Sequence, residues 1–123
     1  MSREEVCGNI KFYLEKLTSN NSVVVYDIDD TLICSQTREV IQPVMDTLHH
    51  AKRLGYKIML ITARESHPET IVFTSRQLKK LDIPFSNIYF RDSDEINIPK
   101  YKKNARKHIY EKGLDIKITV GDM

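Results

Sequence analysis

Residues Ser22 to Ile33 read SVVVYDIDDTLI: the β-formers Val23, Val24, Val25 and Tyr26 run straight into Asp27, Asp29, Asp30 and Thr31. An unbroken apolar run rich in β-branched residues suits a strand covered on both faces, as in a parallel sheet. The aspartates stand where that strand, expected over roughly Val23 to Ile28, should end. In open α/β sheets, ligands bind outside the carboxyl ends of the strands. Like charges crowded there cost stability unless a cation or a reaction uses them. An Asx turn or a helix N-cap accounts for one or two aspartates, but hardly for three after a buried run. The stretch therefore points to a metal or catalytic site.

Outward from it, helix and strand patterns alternate. Val6, Ile10, Tyr13, Leu14 and Leu17 have helical spacing, so a helix is expected over about 4–17, ended by the Thr18 to Ser22 cluster. Pro43 opens a second helix, with Val44, Leu48, Ala51 and Leu54 on one face and Gly55 as its stop. Lys57 to Thr62, KIMLIT, is the second buried strand, and Pro68 starts a third helix through Ile71, Leu78 and Leu81. A short strand at Ile88 to Phe90, a helix over Lys100 to Lys112 stopped by Gly113, and a strand at Ile116 to Val120 complete the pattern. Strands alternating with single-helix crossovers specify an α/β domain: a doubly wound parallel sheet of at least four strands with helices on both faces.

The 123 residues have the length of one domain, expected over 1–123 with its core over about 22–123. With 41% hydrophobic and 29% charged residues, the chain is an ordinary globular one. Its net charge of +2 is unevenly spread. Lys100, Lys102, Lys103, Arg106, Lys107 and Lys112 face Glu111 alone, a local +5 that leaves −3 for the remainder. The N-terminus is charged from its third residue and lacks a long apolar core, so neither a signal peptide nor a membrane span is expected in it. Cys7 and Cys34 have no zinc-like spacing and read as reduced thiols of a cytoplasmic protein.

Three of the four strands end in groups suited to phosphate chemistry. The first gives Asp27 and Asp29, the second Thr62, Ala63 and Arg64, the fourth Gly121 and Asp122, and the helix holding Lys102 lies between the last two. Parallel strands deliver these ends to one edge. Carboxylates two residues apart can act on one phosphorus, one attacking it while the other handles the leaving group's proton. Two anions facing an anionic substrate call for a hard cation, and Mg²⁺ with oxygen ligands fits, Asp122 supplying one more. The Thr62 hydroxyl with nearby backbone N–H groups can hold phosphate oxygens, and a lysine can offset charge that develops in the transition state.

This arrangement resembles the haloacid dehalogenase-like (HAD) phosphohydrolases, which form an aspartyl-phosphate intermediate on a Rossmann-like sheet. Their first motif, an apolar strand then DxDxT, is met by Asp27, Asp29 and Thr31; their second by Thr62 in LITAR; their fourth in part by VGD. Within that superfamily the chain is most similar to the acid phosphatase branch, whose YK-x-x-x-R pattern Tyr101, Lys102 and Arg106 match, which selects Lys102 over Lys100 and Lys103. The resemblance implies Asp27 as nucleophile and Asp29 as general acid/base and Mg²⁺ ligand through its backbone carbonyl. It implies Thr62 and Lys102 as phosphoryl-binding residues, and Asp122 as the residue completing the metal site with Asp27. Asp30 has no role in that scheme and is expected as a capping or helix-start residue. Arg64 can equally contact phosphate or pair with a carboxylate. The four histidines and both cysteines are expected as surface or packing residues.

The family's second acidic residue after Gly-Asp has no position here, so either the chain is a truncated product or Asp122 alone completes the site. The gaps Thr31–Thr62 and Thr62–Lys102 hold little beyond sheet and helix elements, so no cap domain is expected. An open site beside a basic helix favours a large or extended phosphorylated substrate, a phosphoprotein or a polynucleotide end, although a small-molecule site can also form between subunits of an oligomer. Two alternatives compete with a phosphomonoester hydrolase: a catalytically impaired HAD-like binding module and a polynucleotide-end phosphatase. A response-regulator receiver fits poorly, because Thr62 already ends the second strand and the acidic pair has DxD spacing.

Overall fold

The computed structural model describes residues 2–16 and 21–121. Four strands, β1 (Ser22–Tyr26), β2 (Lys57–Glu65), β3 (Asn87–Arg91) and β4 (Asp115–Val120), alternate with helices α2 (Gln42–Arg53), α3 (Pro68–Lys80) and α4 (Ile98–Glu111), after an N-terminal helix α1 (Arg3–Lys16). All pairings are parallel, in the order β3-β2-β1-β4. The chain therefore winds one way through β1, β2 and β3, then crosses back to place β4 on the other side of β1.

Each of α2, α3 and α4 opens with proline in its first turn, where the missing N–H costs nothing. Asn97 adds a side-chain cap on the Lys100 N–H of α4 at 3.1 Å. Gly55 and Gly113 follow α2 and α4 at φ +93° and +81°, left-handed conformations that a side chain would strain.

The central strand β1 and the first half of β2 are apolar on both faces because both faces are covered. On one face, Val24, Tyr26, Ile58 and Leu60 pack with Cys7 and Leu14 of α1, Val44, Leu48 and Ala51 of α2, and Leu78 of α3. On the other, Val23, Val25, Met59 and Ile61 pack under Tyr101, Ala105 and Ile109 of α4. This is the expected doubly wound architecture, and the order of the strands reverses between β1 and β4.

The element bounds differ from expectation in informative places. β1 ends at Tyr26, not Ile28, which makes Asp27 the first residue beyond the strand, its N–H still reaching the Val120 carbonyl at 3.0 Å. β2 does not stop at Thr62 but runs to Glu65 through an irregularity between Ile61 and Glu65. Arg91 supports that polar extension, with Nε on the Ala63 carbonyl at 2.9 Å and its own carbonyl accepting from Ser66 N–H at 2.8 Å. The α1 stripe is rotated: Val6 and Tyr13 are exposed, and Cys7 is buried with Leu14. Leu17 and most of the expected Thr18 to Ser22 stop lie outside the described residues.

Candidate active site

The reversal in strand order opens a cleft at the carboxyl edge of the sheet, lined by Asp27, Lys102, Arg106, Ile98, Thr119 and Gly121 among others. A crevice at such a switch point is the general ligand site of open α/β sheets. Asp27 enters it from the end of β1, and Lys102 from the first turns of α4, 75 residues away. Lys102 Nζ lies 2.7 Å from Asp27 Oδ2, with the two side chains only 21% and 12% exposed. The other Asp27 oxygen, Oδ1, accepts from the Ile28 N–H at 2.9 Å. Lys100 and Lys103 are exposed on α4, so of the three lysines the fold brings Lys102 to Asp27.

Asp29 faces a different partner. Arg64, on the polar end of β2, grips it through two bonds: Nη2 to Oδ1 at 2.8 Å and Nε to Oδ2 at 3.0 Å. A paired guanidinium–carboxylate geometry is strong and directional. The remaining Arg64 nitrogen, Nη1, donates to Thr74 Oγ1 and to Gln77 Oε1, both at 2.9 Å, on α3. The Phe73 ring lies 6.0 Å from the guanidinium carbon. Of the two roles open to Arg64, the carboxylate pairing is the one this structure contains. Thr74 and Gln77 escaped sequence reasoning altogether. They carry no motif and become visible only once α3 is laid against β2.

Thr62 is fully buried, and its hydroxyl accepts the Arg64 N–H at 3.1 Å, closing the irregular end of β2. Ala63 carries the carbonyl that Arg91 holds. Neither residue lines the cleft. Asp30 starts no helix. It takes φ +60° and accepts from the Ser35 N–H at 2.9 Å and its hydroxyl at 2.8 Å, pinning the loop after the motif. Those bonds hold its carboxyl below the usual carboxylate range. Thr31 is buried beside it. Asp122 lies outside the described residues.

Among the described residues no group of three or more carboxylate, imidazole or thiol side chains stands close enough to enclose a metal. Asp27 places a hard carboxylate oxygen at the cleft, the kind of donor Mg²⁺ takes when it keeps several waters and uses one or two carboxylates. The donor thus fits Mg²⁺ in kind.

A family model, HAD superfamily, subfamily IIIB (acid phosphatase), matches residues 35–123. The chain belongs to that family. The match begins just after the DxDxT segment, so the motif aspartates rest on their own geometry, while β2, α3, α4 and β4 all fall within the match. Two solved structures share the fold: chains of the Pnkp1/Rnl/Hen1 complex and of the Pnkp1/Rnl/Hen1 RNA repair complex, each with TM-score 0.72 and 24% identity. The likeness covers 80% and 84% of this chain, but only 38% and 36% of theirs, so this chain spans little more than a third of those neighbours. At that identity the likeness concerns the fold alone. No curated protein matches. No helix among the described residues is long and apolar enough to cross a membrane.

Proposed function

We propose that this acid phosphatase-family chain is a Mg²⁺-dependent phosphomonoester hydrolase that works through an aspartyl-phosphate on Asp27, with Asp29 as general acid/base. The observation that carries the reading is the Asp27–Lys102 contact of 2.7 Å in the switch-point cleft. It joins two motif residues far apart in sequence.

An Asp27 oxygen attacks phosphorus, and the ester P–O bond breaks as the new O–P bond forms. Asp29 gives a proton to the departing alkoxide. Its carboxylate then takes a proton from water, whose oxygen attacks the same phosphorus, releasing inorganic phosphate and regenerating Asp27. Arg64 donates to both Asp29 oxygens and favours the ionised carboxylate, so Asp29 enters the first step as the acid only with that pairing loosened and its proton in place, and the pairing reforms when the proton has left. Lys102 balances Asp27 in the free site and shares its charge with the phosphoryl oxygens during transfer. Thr62 and Ala63 shape the polar end of β2, through the Thr62 bond to the Arg64 N–H and the Ala63 carbonyl held by Arg91, and support the site from behind rather than lining it. Asp27, the Asp29 carbonyl and Asp122 would hold Mg²⁺, which would neutralise charge for an anionic substrate.

The test is hydrolysis of p-nitrophenyl phosphate with and without Mg²⁺ by the chain and by Asp27→Asn. Mg²⁺-dependent turnover that disappears in the variant is the expected result. Undiminished turnover in Asp27→Asn removes the nucleophile assignment, and a folded chain inert under both conditions favours a binding role for the site.

A further inference from the structure

The side of the site away from α4 carries a second recognition surface. Along α3, Phe73, Arg76 and Lys80 fall at i, i+3 and i+7, one stripe of a helix. All three are exposed, Phe73 by 50%. Arg38, from the loop after the DxD segment, stands opposite, and with these residues it lines a shallow groove floored by Gln77 and Leu81. A second depression continues the surface past Phe73 and Arg76 to Val72, Glu69 and Pro68, where Glu69 marks the end of the basic stretch. Among the described residues, none of Arg38, Arg76 and Lys80 forms an ion pair.

The groove adjoins the chemistry. The Phe73 ring is 6.0 Å from the Arg64 guanidinium carbon, and Arg64 holds Asp29 at 2.8 Å. An exposed aromatic ring among unpaired cations is how proteins hold single-stranded nucleic acid: bases stack on the ring and phosphates meet the cations. A phosphopeptide would use the cations but leave the flat face of Phe73 without a planar partner. On α4, Lys102 and Arg106 line the candidate active-site cleft itself.

We infer that the groove between the 34–39 loop and α3 binds single-stranded polynucleotide, stacking a base on Phe73 and seating phosphates on Arg38, Arg76 and Lys80. This rests on the proposed function in one respect only: the strand held there would present its terminal phosphate to Asp27.

Binding is measured by fluorescence anisotropy with a labelled single-stranded oligothymidylate of about ten nucleotides, within the usual site size of such grooves. It is done with the chain and with Asp27→Asn, since binding needs no turnover. Phe73→Ala and Arg76→Glu should each weaken binding about tenfold. The slope of log K against log salt should lie near −2, about −0.7 for each of three neutralised phosphates. Lys103→Glu with Lys107→Glu on α4 should change affinity far less. Arg38→Ala and Arg76→Glu should leave p-nitrophenyl phosphate hydrolysis unchanged. No oligonucleotide binding, equal binding by Phe73→Ala, loss through the α4 variants instead, or saturation by a phosphopeptide alone would each overturn the inference. If the oligonucleotide binds through Phe73 while p-nitrophenyl phosphate is untouched, the groove stands and the phosphatase reading falls. Turnover without oligonucleotide binding leaves the phosphatase reading standing and removes the groove.

Discussion

Asp27 and Asp29 are two residues apart, yet opposite faces of the sheet hold them. Asp27 belongs to the α4 side: its partner Lys102 sits one residue from Tyr101, which packs on Val23, Val25, Met59 and Ile61. Asp29 belongs to the α3 side, where Arg64 is fixed by Thr74 and Gln77, neighbours of the core residue Leu78. The contrast extends to solvent. The Asp27 side chain is 12% exposed and Asp29 41%. A nucleophile gains from shielding beside one cation, while a proton carrier needs access to both leaving group and water. On the proposed reading, in which Asp27 is the nucleophile and Asp29 the proton carrier, the double winding separates the two jobs, and each carboxylate can be perturbed from its own helix.

The strongest way to break this comparison is at the carboxylates. Asp27→Asn should reduce turnover by at least about three orders of magnitude for every substrate, as loss of a nucleophile does. Asp29→Asn should cost roughly 10²–10⁴-fold with an alkyl phosphate. It should cost less with p-nitrophenyl phosphate, whose phenolate departs with little protonation. Equal losses of Asp29→Asn on both substrates, measured as kcat, would mean that it does not serve as the acid.

Next come the partners. Lys102→Ala should lower kcat about 10²-fold, on the scale of one lost charge-stabilising donor. Lys103→Ala, altering an exposed residue, should change it little; the reverse order would reassign the lysine. On the other face, Gln77→Ala should lower kcat by about tenfold or less, through a loosened Arg64. Combined with Asp29→Asn it should add nothing, whereas combined with Lys102→Ala the losses should multiply, because only the first pair shares a network. A multiplying Gln77–Asp29 pair would show that α3 does not act through Asp29.

These relations divide by what the sequence could reveal. Buried strands of three to five apolar residues, prolines opening helices and glycines closing them act locally, so the order of elements and the parallel doubly wound sheet were legible. Parallelism also made legible that the strand ends share one edge, but not which of their side chains reach the cleft, since Thr62 and Ala63 do not line it. Arg64 was legible as a candidate but not in its bonding, because its anchors are ordinary polar residues of another helix. The end of β2 was misjudged because T-A-R-E has no apolar pattern; its strand conformation comes from pairing with Arg91 across the sheet. In α1, Cys7 went uncounted among the apolar residues although free cysteine is commonly buried, and that single omission rotated the expected face.

The smallest test separates the two faces by their tyrosines. Tyr26 lies in the α1–α2–α3 core, with its hydroxyl 2.7 Å from Thr47 Oγ1. Thr47 donates its one proton to the Val44 carbonyl at 2.7 Å, so Tyr26 must be the donor. Tyr101, under α4, donates to the Tyr89 carbonyl at 2.8 Å. Burial raises both phenols above the ordinary value of 10.0. A raised folded-state pKa means that the unfolded chain releases its proton first. The stability from these groups is therefore complete below about pH 10 and lost as pH climbs through the folded-state values. Tyr26→Phe should cost about 1 kcal/mol at pH 7 through its lost hydrogen bond, yet lose stability less steeply than the parent above pH 10. Tyr101→Phe should show the same flattening, because burial raises its phenol in the same way. Urea midpoints measured from pH 7 to 11.5 read both slopes, on an interval set by the ordinary tyrosine pKa of about 10. Parallel slopes for parent and variants would show that neither phenol is held protonated by its face of the sheet.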